Sequence, residues 1–327
     1  MRWPFGRMWY ANRTGLRMQS ATPNSTAVQM SNESKSRVWT KIGCFYVLTL
    51  TFSLAFGGFI LRAGKMEAGT LLFVTGAMWS PALATFATKK IFREQISDLP
   101  WQWARTRYNV LAYFLPLAYS LPVYLFVWFT GLGLFNSSIL PKILADFGWQ
   151  NLPTGFGISL FILFTATIGM VAKLARALGE EIGWRGFLVP ELAKVVGFRG
   201  IGVISGLMWA AFHYPVLLFA DYNAGAPAWY SITCFTISVV AGSFIMAWLT
   251  LRTRSLWPAA ILHASHNLFI QSILTPLTKD TGPTKYIIDE FGIGLVVTTT
   301  IAAVLVWRFF SHQAPALSSP DAVLNVA

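Results

Sequence analysis

Eight stretches of mostly apolar residues, near 42–61, 68–87, 109–130, 156–178, 200–220, 229–251, 256–275 and 291–310, leave this chain few possible folds. A bilayer-spanning helix needs about 20 apolar residues, and hydrocarbon obliges every backbone polar group to be satisfied within the protein. The pattern predicts an all-α fold, a polytopic membrane helix bundle of about eight transmembrane helices. Only 12% of the 327 residues are charged, against roughly 25% in a soluble domain.

The charges that remain are distributed unevenly. Arg2, Arg7, Arg13, Arg17, Lys35, Arg37 and Lys41 precede the first apolar stretch, and Lys89, Lys90, Arg93, Arg105 and Arg107 follow the second. Further basic residues follow the fourth, sixth and eighth stretches, whereas the alternate loops are poorer in them. Short basic loops stay cytoplasmic, so both termini are expected in the cytoplasm, in a bacterial inner membrane by default. Topology and anionic lipid then account for the net charge of +12, and no nucleic-acid partner is expected. Cys44 and Cys234 fall in separate spans, which argues against a structural disulfide.

Ionisable residues in or beside such spans mark functional sites, because an unpaired charge is costly there. Glu180 and Glu181 stand together, followed by Arg185. On a helix Glu181 and Arg185 share a face four residues apart, while Glu180 is rotated about 100° away. One carboxylate is thereby neutralised and its neighbour left available as a general acid or base. A second segment places His213 four residues after Trp209, with small Ala210 allowing a neighbouring helix to approach. A third carries His263, His266 and Asn267; His263 and Asn267 share one helical face, with His266 at its edge. An imidazole and an amide are plausible donors to a developing oxyanion. A metal site built from Glu180 and the histidines is the competing reading, but no His-Glu-x-x-His motif is present and no Asp lies near these histidines in sequence.

The order Glu-Glu-x-x-x-Arg, aromatic-x-x-x-His and His-x-x-x-Asn on successive apolar segments resembles the CAAX prenyl endopeptidase and bacteriocin-processing family (CPBP, or Abi) over about 155–275. The resemblance implies a glutamate-dependent intramembrane endopeptidase without metal or cofactor. Glu180 and His213 would activate water, His263 and Asn267 would stabilise the oxyanion, and Glu181 and Arg185 would support them. Trp209 stands where the family usually has Phe, which bears on pocket shape. His266 lies outside the motif and is expected to play a supporting part.

These readings divide the chain into a disordered basic tail (1–40), a transmembrane peptidase bundle (41–311, motif core 155–275) and a C-terminal cytoplasmic tail (312–327). The bilayer and a peptide or protein substrate are the expected partners. A non-catalytic scaffold, or a peptide-binding protein of the bacteriocin-immunity type, is the alternative. A transporter finds less support, since internal repeats are not apparent.

Overall fold

The computed structural model describes residues 34–63, 71–220 and 222–310. The expected C-terminal tail and the first 33 residues of the N-terminal one lie outside them, as does Asp221. Helix α1 (Lys35–Ala63) begins seven residues before the apolar stretch that predicts it. It is followed by α2 (Leu71–Ile91) and α3 (Thr106–Thr130), then a short α4 (Leu140–Asp146).

The fourth apolar stretch extends further than its hydropathy indicates. α5 (Thr154–Phe164), α6 (Met170–Glu181) and α7 (Val189–Ala193) are joined by π-helical turns at Thr165–Gly169 and Ile182–Leu188 into one rod, Thr154–Ala193. α8 (Phe198–Phe219) and α9 (Ala228–Thr253) follow. α10 (Trp257–His266) then runs into a π-helical segment, Asn267–Leu274, and α11 (Ile293–Phe310) comes last. Six of these helical runs, from Lys35 to Thr253, are long and apolar enough to cross a membrane. Trp257–Leu274 and α11 complete the multi-pass integral membrane bundle. A small antiparallel pair, β1 (Gly133–Phe135) with β2 (Thr278–Asp280), ties the end of α3 to the loop before α11.

Close approach of α2 to the rod places the carboxylates. A Cβ on Gly183 would collide with Pro81, so only glycine lets the π turn after Glu181 lie on α2. α8 meets α9 in the same way, since a Cβ on Gly206 would stand 2.7 Å from the Val240 backbone. Without a hydrophobic drive between helices in lipid, small residues at such contacts supply the packing.

One end of the bundle is fastened by charge. Lys41, the last basic residue before the first apolar stretch, lies fully buried in α1, with its Nζ 2.7 Å from Glu94 Oε1 and 2.8 Å from Glu191 Oε2. Burial pushes the Glu94 carboxyl up, but Lys41 and Lys89 outweigh it and hold this loop acid below its ordinary value. The same loop reaches the start of α10, where Trp257 Nε1 donates to the Trp101 carbonyl at 2.7 Å.

Candidate active site

Three helical runs bring the acid, the imidazoles and the amide to one cavity of about 400 Å³. Glu180, Trp209, His213, His263, His266 and Asn267 all line it. Glu181 and Arg185 sit behind this wall, fully buried.

Trp209 is the hub. Its Nε1 donates to Glu180 Oε2 at 2.6 Å, and its backbone carbonyl lies 3.0 Å from His213 Nδ1. The indole packs edge-on against His263 at 5.2 Å between ring centres, and the Arg185 guanidinium lies 4.3 Å from its centroid. The sequence treated the Trp for Phe exchange as a matter of bulk. The indole instead supplies a donor that Phe lacks, so Glu180 is not left without a partner as the helical-wheel argument assumed.

The expected Glu181–Arg185 pair forms at 3.0 Å, and Arg185 also donates to Ser243 Oγ on α9 at 3.0 Å. The same Glu181 Oε1 lies 2.9 Å from His263 Nδ1. An ionised carboxylate only accepts, so Nδ1 carries the proton. His263 Nε2 is then a lone pair in the neutral ring and a donor only in the imidazolium. The Trp209 carbonyl imposes the same tautomer on His213, whose Nε2 is left as a free acceptor. The sequence shows no Asp near the histidines to orient them, yet Glu181 orients one of them across 82 residues.

A second group of polar residues lines the cavity away from the motifs. His266 Nδ1 is 2.6 Å from the Tyr119 hydroxyl, and its Nε2 is 3.7 Å from Glu290 Oε2. Glu290 also accepts from the Tyr222 hydroxyl and, at 3.2 Å, from Gln271. Tyr119, Tyr222, Gln271 and Glu290 went unnoticed in sequence. Asp289-Glu290 before the last apolar stretch is a carboxylate pair of the same kind as Glu180-Glu181 and was legible. In this loop, burial and the neighbouring Glu290 charge raise the Asp289 carboxyl to about 6. Among the described residues no three His, Cys, Asp or Glu side chains converge as metal ligands.

Fold and site together define an integral membrane helix bundle enclosing a carboxylate–imidazole cavity. Residues 158–269 match the family described as type II CAAX prenyl endopeptidase, Rce1-like, and all eight site residues expected from sequence lie within that segment. The resemblance to CAAX endopeptidases therefore holds over the motif core. CAAX prenyl protease 2 of Methanococcus maripaludis is 28% identical over 135 residues, which is 39% of this chain and 46% of that protein. The matched region thus spans less than half the length of that relative.

Proposed function

We propose that this protein is a metal-independent, glutamate-type intramembrane endopeptidase, similar to CAAX proteases, that hydrolyses a peptide bond in a membrane-associated peptide or protein. The observation that carries this reading is Glu180, buried yet lining a cavity shared with His213, His263 and Asn267 from two other helical runs. Glu180 takes a proton from water, and the hydroxide adds to the scissile carbonyl carbon. The proton then passes to the amine nitrogen as the carbon–nitrogen bond breaks. In the neutral His213 ring, whose Nδ1–H donates to the Trp209 carbonyl, Nε2 holds the lone pair and is the second acceptor for the attacking water. The Asn267 amide and the imidazolium form of His263 donate to the oxyanion, where preorganised donors act most strongly.

Basic residues concentrated in alternate loops support a cytoplasmic location for both termini. Residues 41–311 form the peptidase unit under this reading.

Glu180→Gln tests the assignment, because the amide keeps the shape but cannot take the proton. Cleavage should vanish in the variant and survive strong chelation in the native protein. Loss on chelation with recovery on added Zn²⁺ would make the protein a metallopeptidase instead.

A further inference from the structure

Among the described residues nothing hydrogen-bonds the Asn267 side chain, which opens the π-helical segment Asn267–Leu274 and lines the cavity. Its aim therefore rests on the residues beside it. The residue just before it and the one four after it end on the same carboxylate: His266 Nε2 lies 3.7 Å from Glu290 Oε2, and Gln271 Nε2 donates to Glu290 Oε1 at 3.2 Å. One buried acid from the loop before α11 thus holds the segment on both sides of Asn267. Glu290 is fixed in turn, since Oε1 also accepts from the Tyr222 hydroxyl, its backbone N–H donates to Asp289 Oδ1 at 2.7 Å, and Phe291 packs against Tyr222 and Phe235. From α3 the Tyr119 hydroxyl meets His266 Nδ1 at 2.6 Å. The proposed reaction gives Glu290 no part, and it stands beyond the segment 158–269 that matches the CAAX endopeptidase family.

Resting on the peptidase reading, we infer that Glu290 is a positioning residue, which by holding His266 and Gln271 fixes the Asn267 amide where the oxyanion forms. It acts through Asn267 and not on the reacting atoms. A donor stabilises an oxyanion only when it already points at the place where the charge develops, and a misplacement of about 1 Å can cost about 10²-fold in rate. An amide with no hydrogen bond of its own has nothing else to supply that aim. The clasp gives it, because a carboxylate has lone pairs enough to engage the imidazole, the Gln271 amide and the Tyr222 hydroxyl together.

The test measures kcat and KM on the full-length protein in maltoside micelles, with a fluorescent S-farnesylated hexapeptide ending Cys-Val-Ile-Ala, and binding of its analogue carrying a phosphinate in place of the Cys–Val amide. Glu290→Ala should lower kcat about 10- to 100-fold with KM little changed. Glu290→Gln, whose carbonyl still accepts from Gln271 and Tyr222, should recover most of that loss. In an Asn267→Ala background Glu290→Ala should cost less than about twofold, because the donor it aims is gone. Gln271→Met cuts the clasp from its other end and should reproduce the pattern, so the test stands even where Glu290→Ala does not accumulate. Equal losses in the two backgrounds, a rise in KM alone, or a Glu290→Gln variant as slow as Glu290→Ala overturns the positioning role. Binding separates the two readings: a preference for the phosphinate over the peptide that needs both Asn267 and Glu290, without turnover, would keep the positioning role and refute the peptidase. Turnover with independent losses at the two residues would do the reverse.

Discussion

Trp209 Nε1 donates to Glu180 Oε2 at 2.6 Å, linking α8 to the end of α6 at the carboxylate proposed to activate water. Hydrogen bonds to charged groups contribute about 1.5–3 kcal/mol, or roughly 10- to 100-fold in rate where they position a reacting group. Trp209→Phe keeps the ring against His263 and Arg185 and removes only the donor. Turnover should fall by about that factor, and Tm should fall with it, since buried Glu180 loses a partner. An unaltered rate would show that aromatic bulk alone matters at this position.

His213, His263 and His266 face one cavity but are anchored differently. His213→Ala should cost about 10²–10⁴ in single-turnover rate if it shares the proton transfer. Asn267→Ala should cost about 10²–10³ as a lost oxyanion donor. His266→Ala should cost less, because its ring is held against Tyr119 and Glu290. Equal losses at His263 and His266, at matched protein levels, would undo the donor assignment.

Glu181 and Arg185 are buried together, and removing one partner of such a pair costs about 3–5 kcal/mol because the other charge is stranded. Glu181→Gln and Arg185→Met should each lower thermal stability, and the double variant should regain much of it, giving strong coupling. Activity should stay low in the double variant, since the Glu181 carboxylate also fixes the His263 tautomer. Full activity in the double variant would relieve Glu181 of that orienting role.

Asp289 gives a pH signature. Its folded-state value is raised from 3.8 to about 6 by burial and then by Glu290, so the folded form binds the proton more tightly than the unfolded. The penalty is absent below about pH 4, grows as pH rises through the window, and is complete above 6, at an order of 2–3 kcal/mol. Asp289→Asn tolerates the positive φ of 64° at this position. It should therefore raise Tm at pH 7.5, with the gain shrinking towards pH 4.5. A gain independent of pH would show that the carboxyl does not titrate there.

Orientation is tested with single cysteines in a variant lacking Cys44 and Cys234. An impermeant thiol reagent on intact cells should label the 222–227 loop and spare the 92–105 loop. The reverse pattern would invert the topology.

Much was legible in the sequence because bilayer physics leaves few choices. Apolar length gave the spans, and costly charges within them pointed to Glu180, Glu181, Arg185 and the histidines. The Glu181–Arg185 pair was readable too, being a local helical relationship that no distant residue is needed to create. What lay beyond reach depends on contacts between helices far apart in the chain. Nothing in a heptad or a hydropathy window says that the indole of residue 209 meets the carboxylate of residue 180, or that Glu181 turns to His263. Those meetings are contacts of α6 with α8 and with α10, made between residues 29 and 82 positions apart in the chain. The sequence by itself thus determined which groups must avoid lipid. Packing alone decided which partner each one found, because a buried polar group is satisfied by whatever the neighbouring helix presents at that depth.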